Sequence, residues 1–197
     1  SGTSFFPNLK YHYYLGLLNS CVMPILLSAL SPTLNCTPGS IRKIPVKDCD
    51  SKIVEENIKE LLEIGTKDWD AYETSWNFIS SPLLSTENNL GNLQETYKKI
   101  RKYWIYLTEK MIFLEKENNN IFIDLYGLQD ELTPNIPISE ITLTCNPAYR
   151  YGGKGNKEKQ EQRLLADTLK EFISYSVGCM FGRYSLEEPG LILANQG

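Results

Sequence analysis

One stretch of the chain repeats apolar residues at alternating steps of four and three, and it constrains the fold more than any other feature. Its members are Leu93, Tyr97, Ile100, Trp104, Leu107, Met111 and Leu114. This spacing is typical of the seam of a coiled coil or of a long bundle helix. The register resumes at Ile121, Leu125, Leu128 and Leu132, after asparagines at 118–120. We therefore predict one long helix over about 89–132; the alternative is two helices that meet at the asparagines.

The first third of the chain contains two further helical patterns. Apolar residues at helical spacing predict a helix over about 10–30, with a kink or break at Pro24. A second helix is predicted from a cap at residue 50 or 51 to about Glu63, because Gly65 suits a helix stop. Between them, residues 41–46 are expected to form a short strand.

In the last third of the chain, the residue pattern predicts an extended segment at 141–143 and a final helix over about 158–177. One stripe of that helix is expected to carry Leu165, Leu169, Phe172 and Ser176. Together these patterns indicate a mostly α fold, namely a bundle of long packed helices with one or two short strands and irregular loops.

Composition limits the class of protein. In 197 residues, 42% are apolar and 22% are charged, which is enough apolar material for a core. The net charge of −4 and the pI near 5.2 do not suggest a free-standing nucleic-acid binder. DNA binding would therefore need a local basic surface.

The cysteines and the histidine do not form a metal motif. The cysteines lie at Cys21, Cys36, Cys49, Cys145 and Cys179, without a Cys-x-x-Cys pair. A single histidine, His12, cannot complete a Cys/His zinc site. We expect reduced thiols in the cytoplasm, no metal site and, because the apolar run at 21–30 is too short to span a bilayer, no membrane segment.

Residues 146–149 (NPAY) resemble the Asn-Pro-Pro-Tyr motif with which amino-group DNA methyltransferases hold a flipped adenine. Here Ala148 replaces the second proline, and no glycine-rich loop for S-adenosylmethionine precedes the motif at a sensible distance. We interpret the segment as a turn, to which Asn and Pro are both suited. No catalytic residue and no cofactor-binding residue is predicted.

Acidic side chains gather with aromatic ones at 68–78. The spacing of Asp68, Asp70 and Glu73 allows a metal or nuclease interpretation, but no lysine stands at nuclease spacing. We expect Trp69, Tyr72 and Trp76 to anchor this loop by packing, with the acids facing water.

Basic side chains gather in two places. The denser group lies within the long predicted helix and consists of Lys98, Lys99, Arg101 and Lys102. These side chains flank the seam and are candidates for contacts with DNA phosphates, while Tyr103, Trp104 and Tyr106 are expected in the core. The glycine-rich loop adds the candidates Arg150, Lys154 and Lys157. The alternative for both groups is an ordinary solvated surface.

Three stretches are distinctive as sequences: 68–78 (DWDAYETSWNF), 124–132 (DLYGLQDEL) and 175–184 (YSVGCMFGRY). They resemble the adenine-specific DNA methyltransferases of BREX phage-defence systems. Residues 17–20 (LLNS), 30–35 (LSPTLN) and 39–46 (GSIRKIPV) are similar to the end of the target-recognition region of type IIG restriction–modification enzymes, which are related to that family.

The resemblance implies a parent enzyme that transfers a methyl group from S-adenosylmethionine to N6 of adenine and marks host DNA. Such enzymes are several times longer than this chain, so we expect an internal fragment outside the catalytic domain. The expected partners are double-stranded DNA, bound weakly, the rest of the parent methyltransferase and other phage-defence proteins.

The resemblance also implies a division of the chain. Residues 1–48 are expected to end a recognition-type element, and residues 49–197 to form a helical spacer region. The expected function is a non-catalytic spacer that positions DNA. The alternative is a helical protein–protein interaction module without DNA contact.

Overall fold

Seven α-helices form most of the chain in the computed structural model, which describes residues 10–30, 38–47, 52–85, 89–152 and 155–192. They are α1 (Tyr11–Asn19), α2 (Val22–Leu30), α3 (Pro38–Arg42), α4 (Lys52–Asp70), α5 (Leu93–Tyr126), α6 (Pro147–Arg150) and α7 (Lys157–Met180). Short 3₁₀ helices lie at Pro82–Leu84 and Ile138–Glu140. The prediction of a mostly α fold is confirmed.

Within those described ranges no residue is in a strand, so the two predicted extended segments are not seen. Residues 41–42 end helix α3, whose first residue is Pro38. Proline suits that position because the N–H it lacks has no helical acceptor there. At 141–143 the chain leaves a 3₁₀ helix and buries Ile141 and Leu143 completely.

The chain divides into two compact units, and neither is a continuous stretch of sequence. Residues 1–62 and 111–136 belong to the first unit, and residues 63–110 and 137–197 to the second. Helices α4 and α5 therefore contribute residues to both. The division of roles at residue 48 follows from the resemblance and stays a prediction.

In the first unit, α1 and α2 replace the single helix predicted over 10–30. They meet at a bend of 81°, which falls at Ser20 and Cys21 rather than at Pro24. Pro24 is the third residue of α2, where its missing N–H interrupts no hydrogen bond. Among the described residues, no single helix has the length and apolarity to cross a membrane; this bent pair meets that test only when both helices are combined.

The core of the first unit draws on α1, α2, α4 and α5. Its buried members are Tyr13, Leu17, Val22, Val54, Ile58, Phe122 and Ile123. The rings of Tyr13 and Phe122 tilt against each other with centroids 5.6 Å apart. Burying one such side chain contributes about 1.5–3 kcal/mol relative to leaving it exposed, so this cluster stabilises the unit.

Two buried asparagines connect α5 to the first helices. The Nδ2 of Asn118 donates to the carbonyl of Gly16 at 3.0 Å. The Oδ1 of Asn119 accepts from the backbone N–H of Cys21 at 2.9 Å. Because these amides bind tertiary partners instead of competing for their own backbone, α5 continues without a break through 118–120.

Helix α4 continues through Gly65 to Asp70 and so passes its predicted end at Glu63. Glycine in a helix interior costs about 0.5–1 kcal/mol relative to alanine. The additional turns bury Ile64 and Asp68, and this burial outweighs that small penalty.

We expect the helical glycines Gly16 and Gly65 to respond to alanine with opposite signs. A Cβ at Gly16 would lie 2.8 Å from Asn118 Oδ1 and 2.9 Å from Val54 Cγ1, and such overpacking costs about 1–3 kcal/mol. A Cβ at Gly65 would meet nothing within 4 Å, so Gly65→Ala should stabilise by about 0.5–1 kcal/mol. Urea denaturation measures both; a Gly16→Ala variant as stable as the parent would contradict the close approach.

Three buried positions of α5 are followed by buried positions 18 residues later: Thr96, Ile100 and Trp104 by Leu114, Asn118 and Phe122. This interval is about five turns at roughly 3.6 residues per turn, whereas a coiled-coil seam repeats at about 3.5. The buried positions therefore follow the predicted register from Ile100 to Leu114. After Leu114 the buried face shifts by one residue relative to that register, so Phe122 is buried instead of Ile121. Leu93, the first predicted member, is 44% exposed.

In the second unit, α7 buries a stripe next to the predicted one. Its buried residues are Gln160, Leu164, Thr168, Tyr175 and Gly178. Leu165, a predicted core residue, is exposed. The prediction failed because polar residues face the interior: the Gln160 amide donates to the Gly152 carbonyl at 2.5 Å, and the Thr168 hydroxyl donates to the Leu164 carbonyl at 2.8 Å. A pattern of apolar residues cannot reveal such satisfied polar groups.

Candidate functional site

Three of the exposed lysines of α5 lie within five residues of one another, and we call the surface that they form with two tyrosines the lysine face. It consists of Lys98, Lys99, Lys102, Tyr103 and Tyr106. The tyrosine rings stack with centroids 6.4 Å apart. Both tyrosines are about half exposed, so of the three aromatic residues expected in the core here, Trp104 alone is buried. Lysine ammonium groups suit phosphates, and exposed rings suit bases.

Arg101, the fourth predicted member of the basic cluster, is occupied by a partner. Its Nε and Nη2 donate to the two carboxylate oxygens of Glu161 at 2.7 and 2.6 Å. Burial is the largest single effect and disfavours the guanidinium charge, but the hydrogen bonds to Glu161, its negative charge and smaller contributions from Tyr97 and Cys145 together raise the pKa of Arg101. The same hydrogen bonds hold the pKa of Glu161 below its usual value. This pair joins α5 to α7, so we leave Arg101 out of the lysine face.

The structure describes two of the three candidate residues of the predicted basic loop, Arg150 and Lys157. The Nη2 of Arg150 donates to Glu171 at 2.6 Å, and its guanidinium lies 5.5 Å from the centre of the Tyr72 ring. Lys157 is exposed as the first residue of α7. Lys154 lies outside the described residues.

Asn146 in the NPAY segment caps a helix. Its side chain is buried, with Nδ2 donating to the carbonyls of Ile138 at 2.7 Å and Ile141 at 2.9 Å. Its Oδ1 accepts from the backbone N–H of Ala148 at 3.1 Å and so caps α6. Both polar atoms of the side chain are therefore used within the fold, as an N-cap residue requires.

At the C-terminal end of α4 and in the loop after it, Asp68 and the two tryptophans take the opposite of their predicted roles, whereas Tyr72 is half-buried. Asp68 is buried and accepts from the backbone N–H groups of Thr144 at 2.6 Å and Cys145 at 3.1 Å. Trp76 is fully exposed and Trp69 more than half exposed. Burial, followed by the nearby Asp68 charge, raises the pKa of the Cys145 thiol. Across the described ranges, no cluster of three or more His, Cys, Asp or Glu residues could hold a metal ion.

The second unit contains a cavity of about 360 Å³ with aromatic walls. These walls are formed by Trp69, Tyr72, Phe78, Trp104 and Tyr175. The Tyr175 ring stacks on Tyr184 at 5.1 Å, and the Phe78 ring stands edge-on to both. Burial raises the pKa of Tyr175 to about 12. We call this space the aromatic cavity.

Two ion pairs lie at the aromatic cavity. Arg150 and Glu171 both line it and are joined at 2.6 Å. Glu73 also lines it, and its Oε2 accepts from Arg183 at 3.0 Å and from the Tyr184 hydroxyl at 3.3 Å. The stretches 68–78 and 175–184, which are distant in sequence, therefore meet here.

Sequence reasoning missed the aromatic cavity because its walls come from separate segments, at 69–82, 104, 144–150 and 168–175. The one available signal was the density of aromatic residues in the stretches 68–78 and 175–184. Spacing within either stretch does not show that the two are neighbours, because helical periodicity reports only which face of an element is apolar.

No family model matches the chain. The chain is 36% identical over 189 residues to the adenine-specific methyltransferase BrxX of Escherichia coli O9:H4 (strain HS), and this match covers 96% of the chain. It is 31% identical over 185 residues to the adenine-specific methyltransferase PglX of Lacticaseibacillus casei (strain Zhang), over 92% of the chain. The chain spans only 15% and 14% of the lengths of these relatives.

Proposed function

This chain is homologous over nearly its whole length to a segment of BREX-type adenine-specific methyltransferases, and from this we propose that it is a non-catalytic DNA-positioning region of such an enzyme. The parent would transfer a methyl group from S-adenosylmethionine to N6 of adenine. The segment would hold duplex DNA, or neighbouring domains, in place during that transfer.

The lysine face is the observation that carries this proposal. Lys98 and Lys102 lie one helical turn apart, and both are exposed together with Lys99. A row of ammonium groups along a helix can follow a phosphate backbone without reading bases. It supplies the local positive surface that a chain with a net charge of −4 needs in order to bind DNA.

The environment of Asn146 supports a non-catalytic role. Amino-group methyltransferases use an asparagine side chain to accept from the target amine. In this chain the Asn146 carboxamide is buried and already binds three backbone groups. Exposing it to a substrate would leave buried backbone groups without partners, which is unfavourable.

We expect duplex DNA to bind weakly and with a strong dependence on salt. If three lysines each neutralise a phosphate, the logarithm of affinity should fall with the logarithm of salt at a slope of about −2.7. Replacing Lys98 and Lys102 by alanine should reduce the slope to about −0.9 and weaken all duplexes equally. Fluorescence anisotropy with two unrelated duplexes at several salt concentrations measures both quantities.

The matched control replaces Lys59 and Lys67 by alanine. Both are exposed on α4 and neither belongs to the lysine face, so this variant loses the same charge without changing that face. Its slope should stay near that of the parent chain. Equal losses in both variants, or a preference for one duplex that survives in the Lys98 and Lys102 variant, would count against positioning by the lysine face.

A protein-interaction module is the second candidate, and an exposed apolar surface on α7 favours it. Ile173, Val177 and Met180 are 61%, 44% and 83% exposed, and Phe181, directly after the helix, is 80% exposed. Exposed apolar groups at helical spacing are typical of a contact surface. Absence of duplex binding at low salt would favour this candidate.

A further inference from the structure

The aromatic cavity has the size and walls of a site for a small planar molecule. Its volume of about 360 Å³ lies at the small end of the range for ligand pockets, roughly 300–1,000 Å³. Five aromatic rings line it, so a flat ring can stack or contact ring edges on several sides. These features favour a heteroaromatic ring over a flexible chain.

Its charges favour a neutral ligand. The Glu171 carboxylate is paired with Arg150, and the Glu73 carboxylate is paired with Arg183. Each ion pair has a net charge of zero, so the cavity offers no unpaired charge that could neutralise a bound anion or cation. A phosphate group is therefore not the part of a ligand that this cavity would hold.

Two polar atoms at the cavity lack partners within the described part of the chain. They are Nη1 of Arg150, a donor, and Oε1 of Glu73, an acceptor, and both are buried. Leaving such buried atoms unpaired is unfavourable, most of all in charged groups. A ligand that supplies one acceptor and one donor would relieve both costs.

We propose that the aromatic cavity binds a neutral nucleobase. Adenine illustrates the fit, because its exocyclic amine donates and its neighbouring ring nitrogen accepts. The amine would donate to Glu73 Oε1, and Arg150 Nη1 would donate to the ring nitrogen. The base would come from a free nucleoside or from a single strand with unstacked bases. This site is separate from the lysine face and does not depend on it.

Tryptophan fluorescence provides a direct readout, because Trp69 and Trp104 line the cavity. Trp76 is fully exposed, so a Trp76→Phe background removes the unrelated signal. In that background we expect saturable quenching by adenosine, with a Kd below about 1 mM. Purine riboside, which lacks the exocyclic amine, should bind about tenfold more weakly. Equal binding of the two would overturn the assignment of Glu73 as acceptor.

Blocking variants test the location. Ser174 on α7 and Thr74 in the loop are exposed positions that line the cavity, so Ser174→Leu and Thr74→Leu should narrow it with little effect on folding. Each should weaken adenosine at least about tenfold. Ala166→Leu, at an exposed position of α7 that does not line the cavity, is the matched control and should leave affinity unchanged. Far-UV circular dichroism verifies that each variant is folded.

The ligand source is decided by comparing nucleosides with short single-stranded oligonucleotides. Saturable binding of either that both blocking variants weaken at least about tenfold supports the proposal and identifies the source. Absence of saturable binding by every nucleoside and strand, or quenching that both blocking variants leave unchanged, would overturn it. Alanine at Lys98 and Lys102 should not alter nucleoside affinity, which separates this site from the proposed DNA contact.

Discussion

Trp104→Ala is expected to lower the free energy of unfolding by about 3 kcal/mol. Truncating a buried tryptophan to alanine typically costs about 3–5 kcal/mol, because apolar contacts are lost and a void remains. Trp104 is 8% exposed, and its ring meets Tyr97 edge-on at 6.3 Å. We expect the lower end of that range because part of the ring already faces the aromatic cavity. Urea denaturation followed by far-UV circular dichroism measures the change.

Trp76→Ala is the matched control for this prediction. It removes the same side chain from a position that is fully exposed, so the stability should change by less than about 0.5 kcal/mol. A similar loss in both variants would mean that Trp76 packs in solution. A loss under about 1 kcal/mol for Trp104→Ala would mean that α5 does not bury its seam in the second unit.

Asp68→Ala is expected to destabilise the protein by about 3–4 kcal/mol. The Asp68 carboxylate accepts from the backbone N–H groups of Thr144 and Cys145. A hydrogen bond to a charged group contributes about 1.5–3 kcal/mol. In the alanine variant the backbone N–H of Cys145, a residue that is only 1% exposed, would lose its acceptor while it stays buried. Asp68→Asn should lose about half as much, because one amide oxygen still accepts.

The control for Asp68 is Asp130→Ala, at an exposed position, where we expect a change under about 0.5 kcal/mol. Denaturant melts of the three aspartate variants give the comparison. If Asp68→Ala were as mild as Asp130→Ala, the segment at 144–145 would not depend on this carboxylate. The Asp68 carboxylate would then face water, as the sequence pattern predicted.

Much of the local structure could be predicted from the order of the residues. The repeat from Ile100 to Leu114 predicted a long helix with a buried face, and α5 is continuous from Leu93 to Tyr126. This works because burial on a helix repeats with its turn, so apolar spacing records which face is inside. The resemblance carried by 68–78 and 175–184 likewise indicated the family before any geometry was known.

The pairing of distant side chains required the folded arrangement. Arg101 is bound to Glu161, Asp68 to the backbone at 144–145, and Glu73 to Arg183, across separations of 60 to 110 residues. Local spacing cannot distinguish a basic side chain that faces solvent, such as Lys102, from one that is paired, such as Arg101. That difference arises only when another helix brings a carboxylate within hydrogen-bond distance, because hydrogen bonds act over about 3 Å in space and not along the sequence.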